Sequence, residues 1–380
     1  MSMRLQWQED GQARSALWQT DSGARLPSRV QVVHQLDADT AYRLASAGTG
    51  LLLRGDFQAA RQVLQGMGQR MDAAGQRTPK APARSAAEGF AAHRQRQALR
   101  VRVLGQLLIE IDGQYRIPLP RAPDVLEACT HAWGPSDGQA RVLPLRSLQG
   151  LIGAHEWRKK GVPIPALDGA HIHPHHGVFS PVRGEYVELV AQAPWPAALS
   201  HHPLAFDLGV GTGVLSAVLA RRGVPQVVAT DVSERALACA RDNLGRLGLL
   251  SQVALQQTDL YPEGRAALIV CNPPWLPAKP SSLLDQAIYD EDSAMLRGFL
   301  SGLASHLCEG GEGWLILSDL AEHLGLRSRA QLLGWIQDAG LRVLDRLDTR
   351  PRHSKAQDAR DPLHAARSAE VTSLWRLGPA

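Results

Sequence analysis

The sequence predicts an α/β protein, a seven-stranded doubly wound sheet preceded by a mainly α-helical N-terminal domain. Three observations carry this. From about Pro203, short β-type runs alternate with helical stretches, the pattern of a parallel sheet covered on both faces. Before residue 164, apolar residues recur at three- and four-residue steps instead. The 380 residues exceed one ordinary domain, which suits a division into 1–164 and 165–380.

In the first part, Phe57, Ala60, Leu64, Met67 and Met71 share one helical face, and Val101, Leu104 and Leu108 share another. Ala73 to Gly89, rich in Ala, Pro and Gly with three basic residues, reads as a mobile basic linker between them. Formal charge is +8 before residue 164 and −4 after it, within a total of +4. Such a split means that the two parts face different partners. In the second part the predicted strands are Leu204–Leu208, Gln226–Val232, Val253–Asp259, Ala267–Cys271, Gly313–Ser318, Leu341–Leu347 and Glu370–Leu377. The last two follow each other without an obvious helix, so the final strand is open to an antiparallel placement.

Composition excludes several classes. At 44% hydrophobic and 21% charged the chain has material for real cores and no case for disorder. No apolar run approaches the ~20 residues of a membrane span, and the N-terminus lacks the apolar centre of a signal peptide. The four cysteines lie far apart without a C-x-x-C pair, which fits a reducing cytoplasm and argues against a thiolate metal centre. His171, His173, His175 and His176 cluster without ligand-type spacing, so a polar loop near the active site is expected there and no metal.

The most informative stretch is AFDLGVGTGVLSAVLA, with Asp207, Gly209, Gly211 and Gly213 at steps of two where a strand enters a helix. Glycines there let the chain turn tightly and let a ligand approach unpaired amide hydrogens. The dinucleotide pattern G-x-G-x-x-G fails, because its third glycine falls on Val214 or Ser216. The P-loop pattern also fails. The next two strands close on Asp231 and Asp259, acidic side chains able to accept hydrogen bonds from ribose hydroxyls and an adenine amine. The fourth ends in Asn272-Pro273-Pro274-Trp275.

Asp207-x-Gly-x-Gly-x-Gly resembles the first motif of the class I S-adenosylmethionine-dependent methyltransferases, with their Rossmann-like sheet. The turn at Asn272 resembles the NPPY/NPPW motif of those that methylate a conjugated nitrogen, including HemK-type release factor glutamine methyltransferases and "small domain" N-methyltransferases. The resemblance implies S-adenosylmethionine as cofactor, held by Asp207, Gly209, Gly211, Gly213, Asp231, Asp259 and Asn272. It implies a catalytic turn of Asn272, Pro273, Pro274 and Trp275. The chemistry suits those residues. A conjugated nitrogen is a poor nucleophile until its hydrogens are held, and the Asn272 side-chain oxygen and Pro273 carbonyl can each accept one. Trp275 can lie on a planar acceptor. Upstream, Gly177 to Val190 resembles the HemK-type P-R-P-E-T-E-L-L-V segment through Pro181, Arg183, Glu185 and Glu188, with Gly184 in place of the middle proline and the spacing one residue longer. This makes Pro181, Arg183 and Glu185 substrate-adjacent.

The expected partner is therefore a macromolecule, first a protein glutamine, with an adenine or guanine amine of RNA or DNA as the alternative that the basic first part allows. A third reading is a binding module that has kept the cofactor pocket and lost the reaction. The basic insert Asp348 to Glu370, carrying Arg350, Arg352, Lys355, Arg360 and Arg367, is expected either to overhang the substrate entrance or to be a solvated loop.

Overall fold

The computed structural model describes residues 3–20, 25–77, 85–182, 184–351, 358 and 361–380. The chain divides into two compact units, one of Met1–Arg84 with Ala91–Glu156 and one of Ser85–Phe90 with Trp157–Ala380. None of the described helices is long and apolar enough to cross a membrane.

The first unit contains β1 (Arg4–Glu9), β2 (Gln12–Trp18), β3 (Arg29–Val33), α1 (Ala38–Ser46), β4 (Thr49–Leu53), α2 (Phe57–Arg77), most of α3 (Ala86–Leu104), β5 (Leu107–Ile111), α4 (Leu126–Trp133), β6 (Arg141–Pro144) and most of α5 (Leu145–Lys160). Helices hold more residues than strands, yet they lie on a six-stranded mixed sheet of order β1-β2-β6-β5-β4-β3. The expectation of a mainly helical domain is corrected in that respect. The cause is local. β4 and β5 read TGLLL and LLIEI and are buried on both faces, so they show no alternation. Leu51, Leu53, Leu107 and Ile109 pack under the helices, while Leu52 and Leu108 face a second small core with Trp7, Trp18 and Val142. Leu108 thus belongs to a strand, because α3 ends before Gly105. The proposed linker is shorter than expected, since α2 continues to Arg77 and α3 begins at Ala86; residues 78–84 between them lie outside the described set.

The second unit begins with a small ribbon of β7 (Val162–Pro163) and β8 (His171–Ile172). It continues with α6 (Glu185–Gln192), β9 (Leu204–Leu208), α7 (Val214–Arg221), β10 (Gln226–Asp231), α8 (Glu234–Arg246), β11 (Val253–Gln257), β12 (Ala266–Cys271), α9 (Ala294–His306), β13 (Leu307–Ser318), α10 (Leu320–His323), α11 (Arg329–Asp338), β14 (Leu341–Thr349), α12 (His364–Ala369) and β15 (Thr372–Pro379). All seven predicted strands form one sheet, of order β11-β10-β9-β12-β13-β15-β14. β15 runs antiparallel to both neighbours, and the parallel pairs join β11, β10, β9, β12 and β13.

Period-two alternation gives each sheet face its own core. Leu268, Val270, Trp314 and Ile316 pack with α6, α7 and α8, whereas Ile269, Cys271, Leu315 and Leu317 pack with α9 and α11. The sheet is therefore doubly wound, as its sequence predicted. Strand order reverses between β9 and β12. The carboxyl edge beside such a switch point is where ligands bind in open α/β sheets.

Candidate active site

Register places the motifs side by side. Leu208 pairs with Cys271 and Thr230 pairs with Leu208, so Gly209, Asp231 and Asn272 leave adjacent strands at one level, about 4.8 Å from strand to strand. Gln257 pairs with Asp231, which brings Asp259 to the same edge, where it is exposed.

The glycine loop is shaped by its backbone. Gly209, Gly211 and Gly213 have φ of 78°, 52° and 82°, a left-handed region that side-chain-bearing residues avoid. The Gly209 and Val210 amides both donate to the Thr230 carbonyl, at 2.9 and 2.8 Å. A Cβ on Gly211 would find nothing nearer than 3.9 Å, whereas one on Gly213 would meet the Ala240 Cα at 3.2 Å. Gly211 thus leaves room for a ligand. Gly213 serves the packing of the loop onto α8.

Two carboxylates brace this loop from within the fold. Asp231 Oδ2 accepts from the Gly211 amide at 3.1 Å and Oδ1 from the Ser233 amide at 2.9 Å. Beyond what the sequence indicated, Asp231 therefore fixes the very glycine that opens the pocket. Asp207 is 1% exposed and accepts the Ser216 hydroxyl at 2.5 Å. Burial pushes its carboxyl up to about 6, the Asp231 charge adds to the rise, and the Ser216 bonds oppose it.

This shift has a defined sign. The folded state holds the Asp207 proton more tightly than the unfolded chain, so stability from this residue is full below pH ~4 and lost as pH rises toward 6. The loss amounts to about 2–3 kcal/mol. Asp207→Asn keeps an oxygen for Ser216 and removes the titration. Its Tm is expected to fall less than that of the wild type between pH 4.5 and 7, and superimposable Tm–pH curves would refute this origin of the shift.

Around the NPPW turn the carboxyl edge of β12 carries a buried Pro273 and half-buried Asn272, Pro274 and Trp275. The Trp275 indole N–H donates to Asn272 Oδ1 at 2.9 Å. Its ring packs against the cores of both sheet faces. This bond orients the Asn272 amide and leaves one of the two Oδ1 lone pairs for another donor. The chain beyond the turn is tied back by the Asp290 amide to the Leu276 carbonyl at 2.9 Å. Asp290 also caps α9 by accepting from the Met295 and Leu296 amides.

The upstream segment is less complete. Pro181 is buried, Glu185 opens α6 half-buried, and Arg183 lies outside the described residues. Tyr186 of α6 shares the apolar cluster of Val210 and Val214, and burial raises its hydroxyl pKa, with the Asp207 charge adding to the rise. α6 therefore packs on α7, the helix that the glycine loop opens. The histidine segment is stapled to α8 and to the end of α5: His175 Nε2 lies 3.0 Å from Asp242 Oδ2, and His173 Nδ1 lies 2.7 Å from the Arg158 carbonyl. Among the described residues no group of three or more His, Cys, Asp or Glu is arranged to hold a metal. The insert starts from Thr349 and returns at Thr372, paired partners at the carboxyl edge. Arg352, Lys355 and Arg360 within it lie outside the described residues.

Three supporting residues escaped the sequence reading. Ser216 was detectable as the one polar residue before Arg221 in an otherwise apolar helix. Thr230, whose hydroxyl donates to the Leu260 carbonyl at 2.6 Å, was hidden inside a strand. Asn243 is fully buried; its Oδ1 accepts from the His173 amide at 2.7 Å, and its Nδ2 donates to the Thr212 carbonyl at 3.0 Å and the His173 carbonyl at 3.3 Å. One side chain thereby ties the histidine segment to the glycine loop.

Comparison with known proteins gives the same location. Residues 170–322 match the family model "Methyltransferase small domain". A release factor glutamine methyltransferase of Cereibacter sphaeroides is 32% identical over 164 residues, covering 38% of this chain and 56% of that protein. A ribosomal protein uL3 glutamine methyltransferase of Bordetella pertussis is 33% identical over 144 residues, covering 36% and 48%. A ribosomal protein L11 methyltransferase of Symbiobacterium thermophilum is 42% identical over 66 residues, covering 17% and 22%. The chain thus spans about half, or less, of these three relatives. The glycine loop, the carboxylates of Asp207 and Asp231 and the NPPW turn all fall inside the stretch that matches the methyltransferase small domain model, residues 170–322.

Proposed function

We propose that the chain transfers a methyl group from S-adenosylmethionine to the side-chain nitrogen of a glutamine in a protein. The observation that carries this reading is the juxtaposition of the open Gly211 loop with the Asn272-Pro273 turn on neighbouring strands at the switch point. Two relatives named as glutamine methyltransferases support the choice of acceptor.

The pocket fits the cofactor: Gly211 leaves space for its methionine end, Asp231 and Asp259 present carboxylates for ribose and adenine, and Asp207 holds the strand beneath. Bound there, S-adenosylmethionine supplies an electrophilic methyl. The protein's own part is to prepare the nitrogen. Asn272 Oδ1 and the Pro273 carbonyl each accept one amide N–H, which turns the nitrogen lone pair toward the methyl and stabilises the positive charge that develops. The surplus proton then leaves to solvent, so no general base is required. Residues 1–164, with their charge of +8, are assigned to recognition of the macromolecule.

The test is methyl transfer from radiolabelled S-adenosylmethionine into an extract of cells lacking the gene. Label freed by protease and recovered as N5-methylglutamine supports the reading. Label freed by nuclease moves the acceptor to a base amine, and absence of label with cofactor binding intact indicates a silent binding module.

A further inference from the structure

We propose that Arg327 is an acceptor-binding residue that takes the carboxylate of an acidic side chain next to the glutamine being methylated. The inference deepens the proposed function and rests on the NPPW turn being the acceptor site.

Arg327 lies in the loop between α10 and α11, beyond the carboxyl end of β13. It is 3% exposed, and its Nε and Nη2 are buried without a hydrogen-bond partner among the described residues. These two atoms form the edge of the guanidinium that grips a carboxylate in bidentate fashion. A buried cation left in this state is strongly disfavoured and calls for a partner. Burial accordingly lowers the Arg327 pKa.

The charged groups facing Arg327 are Glu322, Asp290 and Arg329, and the two carboxylates are already engaged. Arg329 Nε holds Glu322 at 2.7 Å. Asp290 spends both oxygens on the α9 amides. Arg329 adds a like charge and satisfies nothing. The internal anions being committed, the matching anion is left to come from outside. Location supports this: Ala321, whose carbonyl accepts from the Arg327 amide at 3.3 Å, and the flanking Leu326 pack in the same apolar cluster as Leu276, the residue that follows the NPPW turn. Planar donors and a surround holding Glu322 and Asp290 suit one carboxylate charge, and disfavour the double charge of a phosphate.

Arg327→Met tests the proposal, because it keeps volume and removes the fork. A cation whose partner is external weakens the free protein, so the variant is expected to melt about 2–4 °C higher than wild type. In the same thermal-shift format, N-acetylaspartate amide should raise the Tm of the wild type and not of Arg327→Met, and N-acetylasparagine amide should raise neither. With acceptor protein, the variant should raise KM at least tenfold while kcat and cofactor affinity hold. A lower Tm in Arg327→Met, or equal responses of both proteins to the carboxylate, overturns the proposal. The melting measurements involve no methyl transfer, so they fail or succeed independently of the proposed activity.

Discussion

Asn272→Ala is expected to lower kcat by about 10²–10³ while the dissociation constant for S-adenosylmethionine changes by no more than a few fold. The argument starts from geometry. Asn272 lies one strand spacing from the glycine loop, and its Oδ1 already accepts the Trp275 indole N–H at 2.9 Å. That bond fixes which end of the amide is oxygen, so the remaining lone pair stands ready for one hydrogen of the acceptor amide. Alanine removes the acceptor and the orientation together. Trp275→Phe separates them: the ring and its packing against both cores stay, and the orienting bond goes. It should cost roughly tenfold, about 1.4 kcal/mol, since the Asn272 amide then samples both flips. Isothermal titration with S-adenosylmethionine and single-turnover methyl transfer give the two numbers. If Asn272→Ala retained more than a tenth of the wild-type rate, the turn would not prepare the nitrogen.

What could be read in advance follows from how each element is built. The strands of the second unit are short apolar runs set between helices and turns, and all seven stood out in the sequence. The order of motifs along them, Asp207 and its glycines, Asp231, Asp259 and Asn272, could be placed on one edge because parallel strands share a direction. The first unit defied the same reading. β4 and β5 are buried on both faces, so alternation is absent, and the helical spacing of Val101 and Leu104 ran on by chance into Leu108. Within the site, residues that present a chemical group at a turn were legible. Those that brace the turn were not. Thr230 and Asn243 act through backbone carbonyls tens of residues away, a relation that no local pattern encodes. Trp275 was legible as a residue, while its hydrogen bond to Asn272 was not, because it depends on the turn bringing the indole N–H to the one side-chain acceptor within reach.

Asn243 is where that hidden bracing has its largest expected consequence, because Asn243→Ala should destabilise the second unit by about 3–5 kcal/mol. The side chain is fully buried and serves three backbone groups: the His173 amide, the His173 carbonyl and the Thr212 carbonyl. Truncation leaves these without their side-chain partner in a site shielded from water, at ~1–3 kcal/mol for each group that finds no other. Cys239, whose thiol lies 3.7 Å from the His173 carbonyl, recovers a small part. The functional effect follows from Thr212, which lies between Gly211 and Gly213. Releasing its carbonyl frees the loop that receives the cofactor, so affinity for S-adenosylmethionine should fall more steeply than the rate at saturation. Asn243→Asp makes the stricter comparison. It keeps an oxygen for the His173 amide, loses both donated bonds, and sets a buried charge next to Asp242, so it should be no more stable than the alanine variant. Urea unfolding of both variants measures the first effect and titration with cofactor the second. A loss under ~1 kcal/mol for Asn243→Ala would mean that the histidine segment and the glycine loop hold their places without this bridge.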